Sequence, residues 1–200
     1  MEQGDKNQLP LNAYSEGADD LFILKLDPNG EYLWHAIYGG LENDHARGVA
    51  IDSHQNIYVV GTSGATWNGP SGQAPLHAFT SGNANLLVLK LNSSGNYVWH
   101  TFFGAASGIS GQSLDKDSSD NIYIVSESFS SWNGPAGQAP LHAFSGDSDI
   151  TVLKLNGKGE YQWHTFYGSS TTDSGYDISV RDTSIVVAGA SKNNWMGPTG

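Results

Sequence analysis

The stretch that decides the fold runs from Trp67 to Gly104 and reads WNGPSGQAPLHAFTSGNANLLVLKLNSSGNYVWHTFFG. It returns from Trp132 to Gly168 as WNGPAGQAPLHAFSGDSDITVLKLNGKGEYQWHTFYG. A Leu-Lys-Leu marker begins at residues 24, 89 and 153, so the period is about 64 residues. Repetition at this spacing predicts an array in which each unit packs on its neighbours.

Composition limits the fold class and the partners. The chain has 200 residues with 25 Gly, 9 Tyr, 7 Phe and 6 Trp but only 14% charged residues, which favours tightly turned β-structure with aromatic packing. A net charge of −11 argues against nucleic acid as a partner, because phosphate contacts require basic side chains. The absence of cysteine excludes disulfides and thiol chemistry. No apolar run is long enough for membrane insertion.

Each period contains four strand-like runs bounded by turn residues. The turn after the third run contains Asn92 and Gly95, residue types that accept the positive φ angles of tight hairpins. Four antiparallel strands per period predict all-β propeller blades. The runs of one period are residues 47–52, 56–61, 86–91 and 97–103.

The segments GVAIDSHQNIYVVG and LLVLKLNSSGNYVWHTFFG, with their copies, resemble the bacterial β-propeller repeats known as SBBP repeats and, more distantly, NHL-type blades. The resemblance extends from Ala18 to Ala190. One departure is an additional segment of roughly 20 residues between the second and third strands of each blade. The resemblance implies a propeller fold in a secreted or cell-surface bacterial protein, and it implies no catalytic residue.

The phase of the repeat predicts open ends. We expect a preceding loop (1–17), a half blade with the two outer strands (18–40), whole blades (41–104 and 105–168) and a half blade with the two inner strands (169–200). Three blade equivalents are too few for a ring, since propellers have four to eight. Free strand edges and apolar faces favour pairing with a second copy in a six-bladed ring, with further copies in a fibre, or with further repeats. The expected edge residues are Leu21, Ile23, Leu24, Ile185, Val186 and Val187.

Histidine follows tryptophan at the same place in every period, at His35, His100 and His164. Repeated histidines are candidate metal ligands, but on different blades they cannot surround one ion. We therefore expect the Trp-His pairs to pack and form hydrogen bonds between blades, and we predict no metal site.

The inserted loops offer the candidate ligand residues. An exposed indole beside amides and an imidazole suits a sugar, because the ring stacks and the polar groups bind hydroxyls. The interpretation that we favour over sugar binding is that Pro and Gly make the loop rigid and that its Trp, Leu and Phe side chains fold back to cap the blade. The candidates are Trp67, Asn68, Gln73, His77, Trp132, Asn133, Gln138, His142 and Trp195.

No residue pattern indicates catalysis. The acidic run at residues 115–121 faintly resembles a calcium loop, but it lacks the distal glutamate and is interpreted as a hairpin turn. No nucleophile elbow, phosphate-binding loop or zinc motif occurs. We predict a non-enzymatic, secreted or surface scaffold that self-assembles through its open edges and uses no cofactor. The alternative is a multivalent lectin with one weak glycan site per loop.

Overall fold

The computed structural model describes residues 8–15, 17–80, 82–104 and 106–197. Residues 1–7 of the predicted N-terminal loop and 198–200 of the last segment lie outside this description. Twelve β-strands and no helix are found in the described ranges. That part of the chain accordingly contains no helix suited to crossing a membrane.

The strands form four antiparallel sheets in chain order. The predicted division into two whole blades and two half blades is confirmed, and the half blades do not pair with each other. The N-terminal half blade is β1 (Leu21–Leu26) and β2 (Tyr32–Tyr38); the first blade is β3 (Asp44–Ile51), β4 (Ile57–Ser63), β5 (Asn85–Leu91) and β6 (Tyr97–Phe103); the second blade is β7 (Ile109–Lys116), β8 (Ile122–Ser128), β9 (Asp149–Leu155) and β10 (Tyr161–Tyr167); the C-terminal half blade is β11 (Asp173–Arg181) and β12 (Ser184–Ser191).

The hairpins between the two outer strands of each blade turn at glycine. Gly30, Gly95 and Gly159 have φ angles of +86°, +82° and +82°, a region in which other residues are strained. Before Gly95, the side-chain carbonyl of Asn92 accepts hydrogen bonds from the backbone N–H groups of Ser94 and Asn96, both at 3.0 Å. These side-chain and backbone preferences set the hairpin positions predicted from the sequence.

Successive sheets pack face to face. The innermost strand β3 lies against β7, and β7 lies against β11. A layer of apolar side chains fills each of the three spaces between neighbouring sheets, and Leu89, Leu153 and Val125 are buried in these layers. Because each blade is covered by its neighbours, the two terminal sheets are the ones with an uncovered face.

The inserted loop returns along the outer edge of its own blade. In the first blade, Leu76 N–H donates to the His100 carbonyl at 2.9 Å, and Phe102 N–H donates to the His77 carbonyl at 3.2 Å. The second blade repeats both hydrogen bonds, at 2.9 and 3.3 Å. The loop therefore caps an outer strand that would otherwise present unpaired backbone groups.

Candidate assembly site

A cluster of tryptophan, histidine and tyrosine lies under each inserted loop. In the first blade, the Trp67 indole stacks on the His100 imidazole with ring centroids 3.9 Å apart and planes 2° apart. His100 Nε2 lies 3.0 Å from the Trp67 carbonyl oxygen, and the Tyr97 hydroxyl lies 2.7 Å from Nδ1. Burial lowers the pKa of His100 to about 4, so the ring is neutral near pH 7. The His100 Nε2–H group then donates a hydrogen bond to the Trp67 carbonyl, and Nδ1 accepts a hydrogen bond from the Tyr97 hydroxyl.

The second blade builds the same Trp-His-Tyr cluster. Trp132 stacks on His164 at 3.7 Å and 11°, His164 Nε2 lies 3.1 Å from the Trp132 carbonyl, and the Tyr161 hydroxyl lies 2.7 Å from Nδ1. Burial again lowers the pKa of His164 to about 4. Two independent copies of one arrangement indicate that the repeat sequence itself specifies it.

The loop tryptophans are buried, as expected if the loop folds back and caps its blade. Trp67 and Trp132 are each 7% exposed, because an imidazole covers one face of each indole. Sugar binding by these loops stays a prediction, but these two rings do not offer a free stacking face. The polar candidates remain accessible: Asn68, Gln73, Asn133 and Gln138 are exposed, and His77 and His142 are half-buried.

The histidine hydrogen bonds lie within a blade and not between blades, contrary to expectation. The tryptophan before the histidine behaves as predicted: a Cβ added to Gly159 of the second blade would lie 3.1 Å from a ring carbon of Trp99 in the first blade. Trp99 also packs edge-on against Tyr58. Adjacent residues of one strand thus have different roles, because side chains alternate between the two faces of a sheet.

A carboxylate also binds the tryptophan of the cluster in the first blade. Trp67 Nε1–H donates to Asp44 Oδ1 at 3.1 Å, and Gly40 N–H donates to Asp44 Oδ2 at 2.8 Å. Burial raises the pKa of Asp44 although these hydrogen bonds oppose the rise. In the second blade, Ile109 takes the place of Asp44 opposite the last residue of the next strand, and Trp132 Nε1 has no partner among the described residues.

The C-terminal half blade has the carboxylate but lacks the outer strands. Asp173 occupies the position of Asp44, and its Oδ2 accepts the Ser169 N–H at 2.6 Å. Asp173 is 0% exposed, yet its Oδ1 has no hydrogen-bond partner in the described structure. Trp195, the loop tryptophan of this period, is 41% exposed. The two residues are parts of a cluster without a histidine.

The N-terminal half blade has the opposite set. The Tyr32 hydroxyl lies 2.8 Å from His35 Nδ1, as in the complete clusters. The His35 ring is only half-buried, and no tryptophan of the described chain stacks on it. Its position on β2, opposite Leu24, matches that of His100 opposite Leu89. His35 therefore has the tyrosine contact of the complete clusters without a stacked indole from the described residues.

A second repeated contact joins neighbouring blades at the outer hairpin. Lys90 Nζ donates to the Gly157 carbonyl of the next blade at 2.9 Å and lies 4.7 Å from the centre of the Tyr58 ring. Lys25 makes the same contact one blade earlier, donating to the Ser93 carbonyl at 2.7 Å. The N-terminal half blade and the first blade thus each hold the outer hairpin of the blade that follows.

Leucine and tryptophan side chains cover the glycine of the same hairpin. A Cβ at Gly95 would lie 2.6 Å from Leu11 and 3.0 Å from Trp34, and Gly159 is covered in the same way by Leu76 and Trp99. Around Gly30, by contrast, no atom of another described residue lies within 4 Å of such a Cβ. This hairpin at the N-terminal end is uncovered.

An open cleft lies at the opposite end of the array. It has a volume of about 400 Å³, and Leu141, Val152, Trp163 and Trp195 are among the apolar residues that line it. The C-terminal half blade borders the cleft where the outer strands of a complete blade would lie. At the N-terminal end, the outward face of β1 presents an apolar surface of Phe22, Leu24 and Leu26, which are 54%, 46% and 46% exposed.

The predicted edge residues divide into two groups. Leu21 and Ile23 are buried against the first blade, so only their backbone groups are available at the edge of β1. The side chains of Leu24, Ile185 and Val186 are exposed, and Val187 is half-buried. In the described structure β1 pairs only with β2, and β12 only with β11.

The acidic hairpins between the inner strands also join blades. Ser53 N–H donates to Asp120 Oδ1 of the second blade at 3.1 Å, and Ser118 N–H donates to Asp182 Oδ1 of the next sheet at 3.1 Å. Burial alone would raise the pKa of Asp120, but hydrogen bonds from Lys116 and Ser53 outweigh it and lower the pKa. These bonds give Asp120 and Asp182 a structural role as acceptors between blades.

Asp52, His54 and Asp120 place three potential metal-ligating atoms within 4.8 Å of one another. Lys90 lies 3.7 Å from Asp52, and Lys116 lies 2.8 Å from Asp120, so lysines already balance both carboxylates. In the run at residues 115–121, Asp117 Oδ1 accepts the N–H groups two and four residues later, which is the predicted hairpin turn.

Stacked four-stranded antiparallel sheets joined in this way define tandem β-propeller blades. Residues 33–66 match the family model described as Beta-propeller repeat, SBBP, which confirms the resemblance predicted from the sequence. The chain is 25% identical over 94% of its length to a protein of Acanthamoeba polyphaga mimivirus named Uncharacterized WD repeat-containing protein L264. It is 22% identical over 90% of its length to Regulatory protein FlaEY of Caulobacter vibrioides. The matched regions cover only 15% and 19% of these two relatives.

Proposed function

We propose that this protein is a non-enzymatic β-propeller scaffold that assembles when β12 of one copy pairs with β1 of a second copy. The observation that carries the proposal is the complementarity of the two ends. One end has the inner strands of a blade and the other has the outer strands. Their union gives a four-stranded blade like the two complete ones.

The complete blades supply the expected register. In the first blade, Val59 of β4 lies opposite Leu89 of β5. Val187 occupies the position of Val59 relative to its inner strand, and Leu24 occupies that of Leu89 relative to its outer strand. We therefore expect Val187 of one copy to lie opposite Leu24 of the next.

Apolar burial favours this union. In this register Phe22, Leu24 and Leu26 of one copy face the cleft of the other. Full burial of such a side chain contributes about 2 kcal/mol, so covering the exposed half of all three contributes about 3 kcal/mol. The second blade has the same lysine, leucine and tryptophan that hold the next outer hairpin elsewhere, but no outer hairpin follows it among the described residues of its own chain. In the union, its Lys154, Leu141 and Trp163 contact the turn at Gly30 of the partner.

Two copies together supply six blades, which lies within the four to eight of closed propellers. If the rotation between copies does not close after two, the same contact continues into a fibre. If further repeats of a longer chain cover these edges instead, the 200-residue chain should not associate with itself and should stay monomeric.

The proposal places the scaffold outside the cell or at the surface of a bacterium, as the SBBP resemblance implies. Glycan binding by the inserted loops is a secondary proposal that uses the exposed amides of Asn68, Gln73, Asn133 and Gln138. Retention on immobilised glycans, lost when these amides are replaced by alanine, would support it.

Light scattering on a sizing column, across a concentration series, tests the assembly. We expect a mass of twice 21.3 kDa or larger species that grow with concentration. Leu24→Lys should give a folded monomer, since it forces an ammonium group into the cleft. The control is Val98→Lys, because Val98 is exposed on the outer strand of the first blade and Gln162 takes its place in the second. A wild-type chain that stays monomeric throughout contradicts the proposal.

A further inference from the structure

We infer that the joint between two copies is locked by a composite site in which Trp195 of one copy stacks on His35 of the other and donates its indole N–H to Asp173 of its own chain. This inference rests on the proposed assembly and specifies the residues that recognise the second copy. Each copy contributes a part that is incomplete alone.

The described chain contains two complete clusters and two incomplete ones. The complete clusters use a loop tryptophan, a histidine on the outermost strand and the tyrosine three residues before it. His35 already has its tyrosine bond at Nδ1. Among the described residues, which begin at residue 8, His35 has neither the stacked indole nor the backbone carbonyl that face His100 and His164.

Trp195 already lies close to the required place. Its ring centroid is 6.0 Å from that of Tyr167, with the planes at 40°. In the complete second blade, Trp132 stands 6.0 Å and 42° from Phe103 of the first blade. Tyr167 and Phe103 occupy equivalent positions at the ends of their outer strands. Trp195 therefore sits on the second blade as Trp132 sits on the first, but no histidine covers it.

Asp173 provides an independent observation. Its Oδ1 is buried and unpaired in the described structure, although a buried carboxylate oxygen normally accepts a hydrogen bond. The neighbouring Ser191 hydroxyl donates to the Asn193 carbonyl at 2.6 Å. In the first blade the equivalent oxygen, Asp44 Oδ1, accepts the indole N–H of Trp67. The unpaired oxygen thus marks the site of a missing indole N–H donor.

The union of two copies satisfies all of these groups together. Pairing β12 with β1 places β2 of the second copy as the outermost strand of the new blade. Its His35 then occupies the position of His100, beneath Trp195. Nε2–H of His35 can donate to the Trp195 carbonyl, and the covered indole can donate to Asp173.

The test measures the dissociation constant of assembly by light scattering or sedimentation over a dilution series. Trp195→Ala and His35→Ala should each raise it at least tenfold, and the double variant should be no weaker than the weaker single variant, since each change removes the same contact. Trp195→Phe keeps a stacking ring but loses the N–H, so it should have a smaller effect. Met196→Ala and Leu33→Ala are matched controls, because both residues are exposed neighbours.

A second readout is spectroscopic. Tryptophan emission of the wild-type chain should shift to shorter wavelength as the protein is concentrated, because Trp195 becomes buried, and Trp195→Phe should lose this shift. The melting temperature of the dilute monomer should be the same in all variants, which would show that the substitutions weaken assembly and not the folding of the single chain.

The failure of this inference can be told from the failure of the proposed function. If both alanine variants keep the dissociation constant within about twofold while Leu24→Lys abolishes assembly, the strands pair as proposed but the contact of Trp195 with His35 does not stabilise the joint. Additive losses in the double variant would also overturn the lock. If the wild-type chain never associates, both proposals fall.

Discussion

Acidification from about pH 7.5 to about pH 5 is expected to destabilise each chain through its two buried histidines. Burial lowers the pKa of His100 and His164 from 6.5 to about 4. Between these values the unfolded state binds more protons than the folded state, so stability rises with pH. The contribution of the two neutral histidines to the free energy of unfolding is fully present above pH 6.5 and is lost as the pH falls towards 4.

The pKa values set the size of this effect. At about pH 5 the unfolded imidazole is almost fully protonated, whereas the buried one is about one-tenth protonated, which corresponds to about 2 kcal/mol per histidine. Both together give about 4 kcal/mol. Burial raises the pKa of Asp44 and Asp149, so on acidification these carboxyls bind protons in the folded state before they do so in the unfolded state. This offsets part of the stability that the histidines lose. His77, whose pKa burial lowers, adds to it.

Urea unfolding followed by circular dichroism at several pH values measures the effect as a change in the free energy of unfolding. Dilute protein should be used so that assembly does not contribute. His100→Gln keeps a donor for the Trp67 carbonyl but cannot titrate, so it should remove about half of the histidine contribution. A free energy of unfolding that stays constant from about pH 7.5 to about pH 5 would refute the assignment of buried, neutral histidines.

Three further predictions use matched positions of the repeat. Trp67→Phe leaves a buried carboxylate oxygen unpaired, whereas Trp132→Phe removes an indole N–H that is already unpaired, so urea unfolding should show Trp67→Phe to be worse by about 1–3 kcal/mol. Gly95→Val should lower the melting temperature of the dilute chain more than Gly30→Val, because both have positive φ but only Gly95 is covered by other side chains; equal losses would contradict this. Asp120→Ala removes the acceptor that joins two inner hairpins and should cost about 1–3 kcal/mol in the same unfolding assay, with an unchanged value counting against the joint.

Local sequence was sufficient to predict the strands and the outer hairpins. The apolar run from Leu86 to Leu91 is bounded on both sides by turn residues, as a strand should be, and β5 spans Asn85–Leu91. Gly95 adopts the positive φ that the hairpin requires. These features depend on residues within a few positions of each other, so the period of the sequence carries them directly.

The loop tryptophans show where local sequence was insufficient. The sequence left open whether Trp67 is exposed to a ligand or folds back on its blade, and in the structure His100, which lies 33 residues later, covers it. The signal was present, since a tyrosine three residues before a histidine follows both Trp67 and Trp132. Sequence alone gave no reason to place the indole on that histidine, because the contact depends on how the loop folds back along β6.

The repeat sequence by itself determined the all-β blades, because strand patterns and turn chemistry depend on residues that lie close together in the chain. Only the tertiary structure decided which side chains are buried. Trp67 and Trp195 stand in nearly the same local sequence, yet one is 7% and the other 41% exposed. The physical reason is that burial requires the outer strands of the same blade, which follow Trp67 as β5 and β6 and which, for Trp195, we propose a second copy supplies.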